Sequence, residues 1–79
     1  MSAPLVARED SAARALLERG ARLLEARDLS GALEAFEEGA RRFPGEWRFP
    51  CNAGTVLHRR GQVGAALRCL NLALARWPS

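Results

Sequence analysis

The stretch Gly31–Gly45, GALEAFEEGARRFPG, is written a second time in the same chain. Thirty-four residues on, residues 65–79 read AALRCLNLALARWPS. Ala32 is answered by Ala66, Leu33 by Leu67, Phe36 by Leu70, Arg42 by Arg76, Phe43 by Trp77 and Pro44 by Pro78. The apolar members fall three and four residues apart, the spacing of one helix face. Each copy closes on a proline, which cannot continue a helix. The first copy carries Glu34, Glu37 and Glu38, whereas the second carries no acid at all.

Upstream, DSAARALLERGARLLEA places Ala12, Leu16, Leu17, Gly20, Leu23 and Leu24 on one stripe. This predicts a first helix from about Asp10, with Asp10 or Ser11 accepting its free N–H groups. A polar break at Arg27 and Asp28 ends it, and Ser30 is the expected cap of a second helix that buries Ala32, Leu33, Phe36 and Ala40. Trp47 to Phe49 then lead into a third helix, which runs to about Arg60. Pro50 is tolerable only in its first turn. GQVG makes the next turn, and a fourth helix is expected from about Ala65 to Trp77. Short turns between amphipathic helices give antiparallel hairpins. The fold class is therefore all-α, four antiparallel helices in two helix–turn–helix units. Residues 1–10 are expected to be a flexible lead-in, residues 11–46 the first unit and residues 47–79 the second.

With Leu16, Gly20, Leu23, Ala32, Phe36 and Pro44 in one copy, and Gly54, Leu57, Ala66, Leu70 and Pro78 in the other, the chain resembles the tetratricopeptide repeat (TPR) family. The resemblance covers about Ala13 to Ser79 and implies a short α-solenoid of two repeats. It implies close helix crossings at Gly20 with Ala32 and at Gly54 with Ala66, with Phe36 and Leu70 filling the space beside them. Arg19 and Ala53 depart from the leucine that the family favours, Pro50 from its large apolar residue and Gly39 from its alanine. The family's concave face is lined by the first helix of each repeat and usually holds a peptide or a partner's helix. Here that face would comprise Arg14, Leu17, Ala21, Leu24 and Glu25, then Arg48, Cys51, Thr55, His58 and Arg59. Some members clamp the acidic tail of chaperones with basic and amide side chains. Asn52 matches one clamp position, but Leu17 and Ala21 stand where a lysine and an asparagine are needed, so that activity is not expected.

The 79 residues are room for one small domain, and at 48% hydrophobic and 27% charged the composition is globular. No apolar run is long enough to cross a membrane. The opening MSAPLVARED has neither the basic head nor the apolar core of a secretory signal, so a cytoplasmic location is expected. Cys51, Cys69 and His58 lack the paired spacing of a metal site, and no cofactor is expected. Cys51 and His58 could form a thiol–imidazole pair. Seven residues apart on a helix, they stand about 10 Å apart along the axis, and no carboxylate in that helix orients the histidine. An enzyme is not expected.

Charge is divided unevenly. Residues 47–79 hold five Arg and no acid, a formal +5, and residues 1–46 hold seven Arg against nine acids, a formal −2, together the net +3 of the chain. An acidic peptide partner fits the basic half, because Arg pairs bidentately with carboxylates. Head-to-tail association of copies is a second fit. Nucleic acid is disfavoured, since no aromatic stacking platform accompanies the charge.

In the last helix, AALRCLNLALARW, only Arg68, Asn71 and Arg76 are polar. A helix apolar nearly all round requires cover on two sides. Terminal repeats of a solenoid normally present a polar outer face, and none follows Pro78 in this sequence. Leu70, Leu72, Leu74 and Trp77 are therefore the expected association surface, in a homo-oligomer or a hetero-complex. Burying two or three leucines there would contribute several kcal/mol, at roughly 1.5–3 kcal/mol each.

Overall fold

A computed structural model describes the backbone of residues 5–76 and the side chains of residues 11–75. The described residues form four helices: α1 (Leu5–Glu25), α2 (Leu29–Arg42), α3 (Arg48–Arg59) and α4 (Val63–Arg76). Residues 1–4 of the expected lead-in, together with Trp77, Pro78 and Ser79, lie outside the described residues.

Helix α1 begins at Leu5, five residues before the expected start, so Asp10 and Ser11 are interior positions and not caps. The cap of α2 is Asp28, not Ser30: its Oδ1 accepts the Gly31 N–H at 2.9 Å. Both residues can accept, and the chain takes the first acceptor after the turn, which brings Leu29 and Ser30 into the helix.

The two hairpin turns share one design. At the end of α1, Asp28 N–H bonds the Leu23 carbonyl at 2.8 Å and Arg27 N–H the Leu24 carbonyl at 3.0 Å. At the end of α3, Gln62 N–H bonds Leu57 at 2.9 Å and Gly61 N–H bonds His58 at 3.0 Å. This paired closure needs one residue in the left-handed region. Gly61 fills it at φ +80°, and Arg27 fills it in the first turn at φ +64°. The fourth helix accordingly starts at Val63, two residues earlier than expected, and the turn narrows to Arg60–Gln62.

Trp47 to Phe49 were expected to lead into α3, but the helix already includes Arg48 and Phe49. Pro50 is its third residue, where the missing N–H has no intrahelical partner to lose. Trp47, at the cap position, offers no acceptor, and Glu46 supplies one from the residue before. Its Oε1 accepts the Arg48 backbone N–H at 3.2 Å and Nε at 2.8 Å, and Oε2 accepts Nη2 at 3.0 Å.

The core is one cluster, Ala13, Leu16, Ala32, Phe36, Phe49, Ala53 and Val56, drawn from α1, α2 and α3. Phe36, Phe49 and Val56 are its largest fully buried side chains. Phe49 locks α3 onto α2. Its ring lies on Gly39, where any Cβ would fall among the ring carbons, and stacks on Phe43 with centroids 6.0 Å apart. Gly39 departs from alanine because this ring needs the room. Gly20 bears the same relation to the Phe36 ring, and Gly54 to Leu70, whose Cγ would lie 3.2 Å from an added Cβ. Those two contacts are thirty-four residues apart at both ends.

The helices pack in series. Helix α1 lies on α2, α2 on α3 and α3 on α4, with only a slight touch between α1 and α3. No Cα of α4 comes within 8 Å of one in α1 or α2. A closed four-helix bundle would bring the first and last helices together. Here the described chain stays open at α4.

Candidate functional site

Every large hydrophobic side chain left exposed among the described residues belongs to α4: Val63 54%, Leu67 57%, Leu70 38%, Leu72 51% and Leu74 69%. The helix meets α3 through a narrow inner line of small residues, Ala66, Cys69 and Ala73, with Leu70 lying against Gly54. A line this thin cannot shelter the leucines on either side of it.

Four of the five, Val63, Leu67, Leu70 and Leu74, follow a four–three–four spacing along one side of α4. They border two adjoining hollows against α3. One, of about 400 Å³, is lined by Trp47, Cys51, Leu70, Ala73 and Leu74, and is apolar almost throughout. The other, of about 210 Å³, is lined by Gly54, Thr55, His58, Val63, Ala66, Leu67 and Leu70. Leu70 belongs to both, so the hollows form one groove roughly 16 Å long, from the rise per residue between Val63 and Leu74.

Two surfaces read separately in the sequence therefore meet. Cys51, Thr55 and His58 of the expected concave face share this groove with Leu70 and Leu74 of the expected association surface. Leu72 does not join them. It points to the opposite side of α4, bordering a hollow with Glu37, Ala40, Arg41, Pro50, Ala53 and Cys69. On α1, Arg14, Ala21 and Glu25 are exposed, while Leu17 and Leu24 are half-buried against the core. Arg59 is exposed, and Arg48 is held by Glu46. Trp47 was not among the candidate residues. Its place one turn before Cys51 was the signal that could have found it.

The groove carries no acidic side chain, because α3 and α4 contain none. The Glu46 carboxylate at the mouth of α3 is already engaged. The bonded Arg48 guanidinium holds it below the ordinary glutamate range, against a smaller opposing effect of burial. The Cys69 thiol, on the inner line of α4, is pushed up by burial and then by the charge of Glu37, with Arg68 opposing. Cys51 and Cys69 are both free thiols. No polar or charged side chain is buried among the described residues. Among them, no group of three or more His, Cys, Asp or Glu is placed to hold a metal ion, and no helix is long and apolar enough to cross a membrane.

No family model matches the chain, and neither a curated protein nor a solved structure shows significant similarity to it.

Proposed function

We propose that the chain is a two-repeat module of the tetratricopeptide kind that binds protein and performs no chemistry itself. The recurrence of Gly20 on Phe36 as Gly54 on Leu70, and of Arg27 as Gly61 in the turns, supports the repeat reading. The observation that carries the function is the open α3–α4 groove, bordered by Leu67 and Leu74, which the fold leaves more than half exposed. Exposed leucine at four–three–four spacing is the surface an amphipathic helix covers. The module acts as an adaptor or scaffold in a reducing aqueous compartment, the cytoplasm, where its two thiols stay free.

The test is a titration of isotope-labelled protein with amphipathic helical peptides, followed by amide shifts. Changes should concentrate on the groove residues of α3 and α4. Changes confined to α1 and α2, or no binding by any such peptide at millimolar concentration, would overturn the reading.

A second reading, pairing of two copies through α4, draws on the same leucine spacing, which is also that of a coiled-coil seam. It predicts a mass that doubles with concentration and reverts to that of one chain on Leu74→Glu.

A further inference from the structure

The chain contains a filled version of its own open groove. Moved back by thirty-four positions, the residues lining the larger hollow, Trp47, Cys51, Leu70, Ala73 and Leu74, become Ala13, Leu17, Phe36, Gly39 and Ala40. Each of these packs in or against the core around α3. What fills that site is the inner face of α3: the Phe49 ring on Gly39, then Ala53 and Val56, all buried. The open groove thus has the shape of a seat for a helix with an aromatic residue in its first turn, a small residue four on and a β-branched residue three further.

A second copy supplies no such helix. The residues of α1 at the places of Phe49, Ala53 and Val56 are Ala15, Arg19 and Arg22, all exposed. Docked head to tail, α1 would set Arg19 and Arg22 against a block with five Arg and no acid. Pairing through α4 would bring two such blocks together, and like charges this close repel.

We propose that the groove takes an acidic amphipathic helix from another protein, anchored by an aromatic side chain between Cys51, Leu70, Ala73 and Leu74. The aromatic ring fills the larger hollow as Phe49 fills its counterpart. Carboxylates flanking the apolar stripe meet Arg59, which is exposed next to His58 of the groove wall, within a half of the chain that holds five Arg and no acid. This proposal rests on the protein-binding reading above and adds the chemistry of the partner.

The probe is a synthetic helix of about 18 residues, long enough to hold its form. It carries phenylalanine, alanine and valine spaced as Phe49, Ala53 and Val56 are, on a glutamate-rich background. One control replaces its phenylalanine by alanine, and another replaces its glutamates by glutamine. The glutamate peptide should bind and shift the amides of Cys51, Leu70, Ala73 and Leu74. Loss of the phenylalanine should weaken binding by roughly tenfold or more, as for a buried aromatic anchor. The glutamine peptide should bind several-fold more weakly and lose its salt dependence. In the protein, Leu74→Glu should abolish binding with the helical circular dichroism unchanged.

Equal binding with and without the phenylalanine, or with glutamate and glutamine, would overturn this inference and leave the protein-binding reading standing. So would a concentration-dependent dimer lost on Leu74→Glu, which makes a second copy the occupant. Failure of all helical peptides to shift any groove amide would overturn both.

Discussion

Gly20 lies against the edge of the Phe36 ring so closely that a Cβ at that position would sit among the ring carbons. Thirty-four residues on, Gly54 lies against Leu70 with more room: an added Cβ would meet Leu70 Cγ at 3.2 Å and the Ala66 carbonyl at 3.3 Å. The same crossing is thus built twice, once against a rigid ring and once against a branched chain that can turn.

The two glycines should therefore respond differently to alanine. In a helix interior the change alone favours alanine by about 1 kcal/mol, while overpacking a filled core costs about 1–3 kcal/mol. Phe36 is fully buried and cannot retreat, so Gly20→Ala should destabilise by about 1–2 kcal/mol in urea unfolding. Gly54→Ala should fall near neutral, because Leu70 can move outward. Adding Phe36→Leu to Gly20→Ala should recover part of the loss. A Gly54→Ala loss equal to that of Gly20→Ala would show that the second crossing is as tight as the first.

The left-handed residue of each hairpin turn makes an opposite pair of predictions. Arg27 holds φ +64° with a side chain that this region disfavours, whereas Gly61 holds φ +80° freely. Arg27→Gly should raise stability by roughly 0.5–1 kcal/mol, and Gly61→Ala should lower it by about 1 kcal/mol. Thermal unfolding followed by circular dichroism measures both. Arg27 bonds Leu24 and no groove residue, so Arg27→Gly should leave peptide binding unchanged.

Much of this was legible in the residues. The resemblance to tetratricopeptide repeats implied close crossings at Gly20 and Gly54, with Phe36 and Leu70 beside them, and each glycine does lie against that side chain. Phe49 was not legible as the centre of the α2–α3 joint. Pro50 was expected in the first turn of α3 and lies there as the third residue, but Trp47 to Phe49 read as an entry segment, which left Phe49 outside the helix. The cap of α2 was missed for a related reason: Asp28 and Ser30 are equally good acceptors, and only the turn geometry chooses between them. The candidate groove was legible in parts and not as a whole. Sequence gives the stripe on α4 and the stripe on α3, but the roll of α4 about its own axis decides which stripes face each other. That roll is set by Gly54, Ala66 and Leu70 in contact, and it turns Leu74 toward Cys51 and Leu72 away.

Glu46 gives the fold a mild acid sensitivity. Its folded pKa lies below the unfolded value because the charged form is bonded to Arg48. The stabilisation is therefore fully present above the unfolded carboxylate pKa, about 4.3, and is lost as pH falls through the lowered folded value. Both partners are partly solvated, so the contribution should stay under about 1 kcal/mol. Glu46→Gln should destabilise slightly at pH 7, and its difference from the parent chain should shrink and vanish as the pH falls below both the unfolded and the lowered folded value. A difference that persists at that acidity would mean the side chain acts through shape or neutral hydrogen bonding.

Leu67 and Leu74 of α4 should prove dispensable for folding. A core leucine such as Leu16, which is buried, should cost about 2–5 kcal/mol on truncation to alanine. Leu74 is 69% exposed and Leu67 57%, so Leu67→Ser and Leu74→Ser should change stability by no more than about 0.5 kcal/mol, as surface substitutions do. Solubility should rise with each, because exposed leucine promotes association. The contrast matters because a leucine that fills the interior and a leucine that awaits a partner look alike in sequence. Urea unfolding separates them. If Leu74→Ser cost as much as Leu16→Ala, then Leu74 would be covered by this chain itself, and the groove would be closed in solution.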